Sequence, residues 1–149
     1  MRFNGKDIII PDALSFLWQY WDIYVEEFYY FESERENPVI FDVGSNIGMS
    51  ILYFRKLFPA SVIYGFEPDR KIFEILNKNI RTSSISGPKI SLIQAAVWIH
   101  NDGIDFNVNG PDSSSIVYHS NPVNTSKVPS IRLNDLLEKE NHIDFPIII

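Results

Sequence analysis

The residues able to do chemistry are concentrated in two short stretches, "FDVGSNIGMS" (residues 41–50) and "GFEPD" (65–69). Each is an apolar run that stops at an acid, Asp42 ahead of Gly44 and Gly48 in the first and Glu67 ahead of Pro68 in the second. Glycines after an acid suit a ligand cradle, because they tolerate sharp bends and leave no Cβ in the way. Three cofactor classes use such a turn. A phosphate loop ends in Gly-Lys-Ser/Thr, whose lysine neutralises phosphate; here Gly48 is followed by Met49 and Ser50, and that class fails. A nicotinamide site wants G-x-G-x-x-G, and this loop offers only "GSNIG". An anion at Asp42 opposes a pyrophosphate but attracts a cation, such as the ammonium of an amino-acid tail. Glu67 has two acceptor oxygens, enough for both hydroxyls of a ribose. A carboxylate for an ammonium, a glycine turn and a carboxylate for a ribose describe S-adenosylmethionine.

The elements that must position these acids alternate in type. "VIFDV" (39–43) and "VIYGF" (62–66) are apolar and β-branched, as strands buried on both faces are. Between them a helix is expected from about Asn46 or Ile47, with Ile47, Ile51, Phe54 and Phe58 inward, until Pro59 stops it. A second helix, "DRKIFEILNKNIR", turns Ile72, Ile75, Leu76 and Ile80 inward, and "KISLIQAAVW" (89–98) reads as a third strand. Strand and helix in this rhythm imply right-handed crossovers and a parallel sheet covered on both faces. The fold class is therefore α/β, a Rossmann-like, mostly parallel sheet with flanking helices. Both acids then fall on its carboxyl edge, where open α/β sheets bind their ligands.

Beyond Trp98, "GIDFNVN" and "SSIVYH" read as two short antiparallel or exposed strands, with loops across Asn109 to Lys127. "IRLNDLLEKE" reads as a helix with Ser130 or Asn134 near its start, and the closing "IDFPIII" as a central strand. A sheet that stops inside such a run is expected to be incomplete at its C-terminus, the chain being a fragment of a longer protein. At the other end, residues Leu14 to Phe28 fit one helix. Its Leu14, Leu17, Trp18, Trp21, Val25 and Phe28 share a face that is expected to pack onto the domain; the alternative is an aromatic surface for a partner or a membrane interface. The expected organisation is an N-terminal aromatic helical segment, residues 1–37, packed on a cofactor-binding domain, residues 38–149.

Composition narrows the function classes. A chain of 149 residues suits one domain with a real core. Its formal charge of -6 argues against loose binding to nucleic acid, whose phosphates demand a basic surface. No apolar run approaches the roughly 20 residues of a membrane span. The absence of cysteine excludes disulfides and thiolate metal sites, and the cytoplasm is the expected location. His100, His119 and His142 are scattered without ligand spacing, so no metal is expected.

With these motifs in place, the sequence resembles the FkbM-type methyltransferases, class I S-adenosylmethionine-dependent enzymes. The resemblance rests on "IFDVGSNIGMSILYFRKLFP", "VIYGFEPDRKIFEILNKNI", "ISLIQAAVW" and "VPSIRLNDLL", in family order, with "YWDIYVEEFYYF" upstream. It implies that Asp42, Gly44, Ser45, Asn46 and Gly48 surround the methionine tail of the cofactor, and that Glu67 holds its ribose. Ala95 and Ala96 would leave room for the adenine, while Ser113 and Ser114, with Ser115, would lie on the substrate side. In relatives a Lys-Ile-Asp-Ile-Glu-Gly-like segment follows "IDFPIII" and closes the site. Asp69 is expected to cap the helix that follows it, and Asn46 to be the N-cap of the one before. The implied reaction is O-methylation of a sugar or small metabolite, with a small-molecule or carbohydrate acceptor and no nucleic acid; no general base is assigned. Copies could assemble through the N-terminal aromatic segment. A nicotinamide oxidoreductase and a non-catalytic assembly module remain the alternatives.

Overall fold

The computed structural model describes residues 1–83, 88–107, 115–116, 125–139 and 147–148. The chain opens with a two-stranded hairpin, β1 (Arg2–Phe3) and β2 (Lys6–Asp7), followed by helix α1 (Ala13–Tyr20) and a π-helix, Trp21–Val25. Then come β3 (Val39–Val43), α2 (Met49–Leu57), β4 (Val62–Phe66), α3 (Arg70–Thr82) and β5 (Ile90–Ile93). The remainder holds β6 (Ala96–Trp98), β7 (Ile104–Asn107), β8 (Ser115–Ile116), β9 (Thr125–Val128), β10 (Ser130–Arg132), α4 (Leu133–Lys139) and β11 (Ile147–Ile148). The main sheet has the order β11-β3-β4-β5 and every pairing in it is parallel. The fold is thus α/β and Rossmann-like.

Because side chains alternate along a strand, β3 and β4 feed two separate cores. Ile40 and Ile63 point to one side, where Ile47, Ile51, Phe54, Ile72 and Leu76 of the first crossovers cover them. Phe41, Tyr64 and Phe66 point to the other, their rings stacked at 5.1 and 6.2 Å, and Leu133, Leu136 and Leu137 of α4 pack there. Asp69 accepts from the N–H groups of Lys71 and Ile72 and so caps α3, as expected. Where α2 ends near Pro59, the buried Arg55 donates to the carbonyls of Pro59 and Pro88, 2.7 and 3.0 Å away.

Several expectations change. The helix expected over residues 14–28 ends as α-helix at Tyr20 and continues as a π-helix to Val25. The face expected to pack is the exposed one: Leu14, Leu17, Trp18, Trp21, Val25 and Phe28 stand between 46% and 69% open. The buried side instead carries Phe16, Ile23 and the half-buried Tyr24. Phe3 of the hairpin meets Phe16 and Tyr24 edge-on at 5.9 and 5.2 Å, and the Tyr24 hydroxyl donates to the Met49 carbonyl. Both faces are apolar, and the one that also satisfies its tyrosine hydroxyl won. "KISLIQAAVW" is not one strand, since the chain breaks at Gln94–Ala95 and β6 leaves the main sheet to pair with β10. Ser130 does not start a helix; with Ile131 it lies in β10, beside Ala96 and Val97. Strands β7, β8 and β9 form a small antiparallel sheet. Ile147 and Ile148 pair in parallel with Ile40 and Phe41, which is the strand expected there.

Candidate functional site

Asp42 is the penultimate residue of β3 and is almost fully buried. Its Oδ2 accepts a 2.8 Å hydrogen bond from Ser50 Oγ in the first turn of α2, and its main-chain carbonyl accepts from Ser45 Oγ at 3.0 Å. Between strand and helix the backbone folds tightly. Gly44 and Ser45 both donate to the Phe66 carbonyl at 2.9 Å, and Gly48 donates back to Ser45 at 2.8 Å. Gly44 (φ 89°), Asn46 (φ 47°) and Gly48 (φ 95°) are left-handed, a conformation that glycine adopts freely and asparagine tolerates better than most residues. Gly48, not Asn46, is the N-cap of α2, because the left-handed turn at 46–48 delays the helix to Met49. A Cβ on Gly48 would lie 2.9 Å from Leu76 Cδ1, whereas one on Gly44 would meet nothing within 4 Å. The turn is therefore closed on the α3 side and open at Gly44.

Glu67 follows β4 on the same edge and is also buried. Its two oxygens are held by main chain: Asn46 N–H donates to Oε2 at 3.0 Å and Asp69 N–H to Oε1 at 2.8 Å. This carboxylate thus ties the glycine turn to the start of α3, and each oxygen keeps a lone pair for a further donor. The Glu67 and Ala95 N–H groups share the Ile93 carbonyl, at 3.1 and 3.0 Å, which brings Ala95 to the same corner. Ala96 does not join it. Its N–H donates to Pro129 and its side chain belongs to the smaller core of Ile104, Phe106 and Val128. Ser113 and Ser114 lie outside the described residues.

The two acids are electrostatically uncompensated. Burial pushes Asp42 up to about 6, offset in part by the hydroxyls of Ser45 and Ser50. Burial likewise pushes Glu67 up to about 7; the N–H groups of Asp69 and Asn46 pull it down, and the charges of Asp69 and Asp42 add to the rise. Among the described residues neither acid has a lysine, arginine or histidine within salt-bridge distance. A ligand that brings positive charge to Asp42 and hydroxyl donors to Glu67 would supply what the protein withholds.

Four residues near this site carried no signal in the sequence reading. The Ser50 hydroxyl donates to the Asp42 carboxylate. Gly65, inside β4, makes room for the turn, since a Cβ there would lie 2.7 Å from Ser45 Oγ and 2.8 Å from Ile51 Cδ1. Asn79 of α3, fully buried, accepts from Ile9 N–H at 2.7 Å and donates to the carbonyls of Ile9 and Ile47 at 2.9 and 3.0 Å. It thereby fastens the segment between β2 and α1 to the glycine turn. Tyr29 stacks on Phe54 at 6.3 Å, and its phenol is raised by burial first and then by the charges of Asp42 and Asp22. A polar residue at helical spacing inside "EILNKNI" is the one hint that could have singled out Asn79.

A parallel sheet with helical crossovers, and a glycine turn flanked by strand-end acids, make this a Rossmann-like domain. The family model described as Methyltransferase FkbM domain matches residues 42–148, and the chain belongs to that family. Methyltransferase sdnD of Sordaria araneosa is 30% identical over 95 residues, covering 58% of this chain and 37% of that protein. Methyltransferase 1 of Beauveria bassiana (strain ARSEF 2860) is 32% identical over 66 residues, covering 44% of this chain and 26% of that protein. The chain spans well under half the length of either relative.

Proposed function

We propose that this protein binds S-adenosylmethionine and transfers its methyl group to a hydroxyl of a small molecule or carbohydrate. The observation that carries the reading is the pair of buried, uncompensated carboxylates, Asp42 and Glu67, on either side of one glycine turn. The residues suit that cofactor. Asp42 would face the ammonium of the methionine tail, Gly44, Ser45, Asn46 and Gly48 would pass beneath it, and Glu67 would take the ribose hydroxyls. Ala95, at the Glu67 corner, would leave space for the adenine. The bound cofactor supplies a methyl group on an already positive sulfur, so holding the acceptor in line is the main demand on the protein. Ser113 and Ser114 are the residues proposed for the acceptor side. The same reading has residues 1–37 as a segment against a cofactor domain of residues 38–149, in the cytoplasm.

Family membership supports methyl transfer, and the donor set favours a cationic nucleoside over a dinucleotide phosphate. Calorimetric titration with S-adenosylmethionine tests the reading, with Asp42→Asn as the matched control. Saturable binding that the variant loses is the expected result. Saturable binding of NADH in place of S-adenosylmethionine would replace the reading with an oxidoreductase.

A further inference from the structure

The outward side of α1 and the π-helix is an exposed apolar stripe. Leu14, Leu17, Trp18, Trp21 and Val25 recur at three- and four-residue spacing, and Phe28 stands open in the turn that follows. Soluble helices commonly keep one face polar, and a helix apolar on both faces is normally covered on both. The inner face has its cover: Phe16 and Ile23 belong to the main core. Among the described residues nothing covers the outer face, yet it holds two of the chain's three tryptophans.

We propose that this face is the interface of a homodimer, two α1–π-helix segments packing against each other about a twofold axis. Two observations favour a second copy of the chain, and a third disfavours an anionic lipid surface in its place. First, the exposed parts of these six side chains amount to about 600 Å² per copy, at whole-residue areas of roughly 150–250 Å² for the aromatic ones, and paired copies reach the lower bound of roughly 1,200 Å² for a specific interface. Second, the stripe is self-complementary. With the helices antiparallel, its centre at Trp18 and Trp21 meets its own copy while Leu14 of one protomer falls beside Val25 of its partner, as an isologous contact requires. Third, charge disfavours a lipid surface. Residues 12–34 contain no lysine or arginine but six acids, Asp12, Asp22, Glu26, Glu27, Glu32 and Glu34. Anionic leaflets attract basic segments and repel such a one. Asp22 lies between Trp21 and Val25 in sequence, and Glu26 and Glu27 follow directly, so like charge stands beside the contact.

The acidic rim gives the proposal a distinctive salt response. Two like-charged copies repel across the rim, and screening relieves that repulsion, so dimerisation strengthens as salt rises. A basic partner would show the opposite dependence. The test is sedimentation equilibrium of the full chain in low and high salt, with Trp18→Glu and Trp21→Glu alongside and far-UV circular dichroism as a check on folding. The expected result is a mass of twice 17.3 kDa that is better populated in high salt. Each glutamate variant, with an unchanged circular dichroism spectrum, should raise the dissociation constant at least about tenfold. Should a glutamate variant lose its fold, Leu14→Ser, far from the π-turn, makes the same test. A monomeric wild type at submillimolar concentration in both salts overturns the proposal. So does a dimer that these variants leave intact, or a monomer whose tryptophan emission shifts blue only on adding phosphatidylcholine vesicles.

Discussion

Replacing Asp42 by asparagine should make the ligand-free protein more stable while abolishing the proposed affinity for S-adenosylmethionine. The reason lies in what surrounds the carboxyl: it is buried at the end of β3, takes one hydroxyl bond from Ser50 and faces no cation among the described residues. Its pKa rises from 3.8 to about 6. A carboxyl raised on folding favours the folded state only while protonated, so its contribution is intact below pH 3.8 and is lost as pH climbs through about 6. The interval between those values corresponds to about 3 kcal/mol of destabilisation at about pH 8. Asparagine removes the charge, and its Oδ1 can still accept from Ser50 Oγ. The variant should therefore gain up to about 3 kcal/mol, or roughly 5–10 °C in Tm for a domain of this size. The assay is a thermal melt of both proteins across a pH series from about 4 to about 8. The two melting curves should nearly coincide at the acid end, separate through about pH 6 and stay apart above it. Isothermal titration at about pH 8 should show the same variant losing S-adenosylmethionine. An Asp42→Asn protein that folds normally yet melts below wild type at about pH 8 would refute the electrostatic account. So would a gap in Tm that does not change with pH.

The remaining predictions follow the other contacts of the turn. Because Glu67 sits at about 7 and Asp42 at about 6 in the ligand-free protein, affinity for a cationic nucleoside should fall as pH drops through about 7, up to about tenfold per pH unit for each carboxyl that must ionise. Calorimetry across buffers checks this, and a flat profile down to about pH 5 would contradict it. Ser50→Ala, which leaves the Asp42 oxygen without its 2.8 Å donor, should weaken cofactor binding by about 1 kcal/mol, and Ser50→Thr should restore most of it. Gly65→Ala puts a Cβ 2.7 Å from Ser45 Oγ and should lower stability by about 1–3 kcal/mol in urea unfolding, with a larger proportional loss of ligand affinity as the turn shifts. Asn79→Leu removes three hydrogen bonds of a buried side chain to Ile9 and Ile47, and should lower stability by about 2–4 kcal/mol in the same assay.

How much of this was legible in the sequence depends on the range over which each feature is encoded. "VIFDV" and "VIYGF" are strands at the residues expected, because continuous β-branched runs next to glycine and proline have few other solutions. The acids at their ends share an edge for the same reason: parallel neighbours put both carboxyl ends on one side, and Asp42 pairs with Gly65 two places before Glu67. Periodicity could not orient α1, because Phe16, Tyr20 and Ile23 repeat with the same spacing as Leu14, Trp18 and Trp21. What separates the two faces is Phe3, a residue of the hairpin, and the Met49 carbonyl that receives the Tyr24 hydroxyl. Neither lies within a helical turn of the residues it sorts.

The supports of the turn were hidden for a related reason. Asn79 reaches Ile9 across 70 positions and Ile47 across 32, and such a bond leaves no local pattern in either segment. Yet these long-range contacts make the strained backbone possible. Asn46 adopts φ 47° while its N–H is held by Glu67, the Ile47 carbonyl by the Asn79 amide, and the N–H groups of Gly44 and Ser45 by the Phe66 carbonyl. A turn tied at so many points does not need to rearrange when a ligand arrives, which lowers the entropy lost on binding. The same rigidity keeps Asp42 and Glu67 from moving toward water to relieve their burial. Under the proposed function, the burial that destabilises the two acids is also what favours a cationic ligand, so a substitution that relieves the first should remove the second.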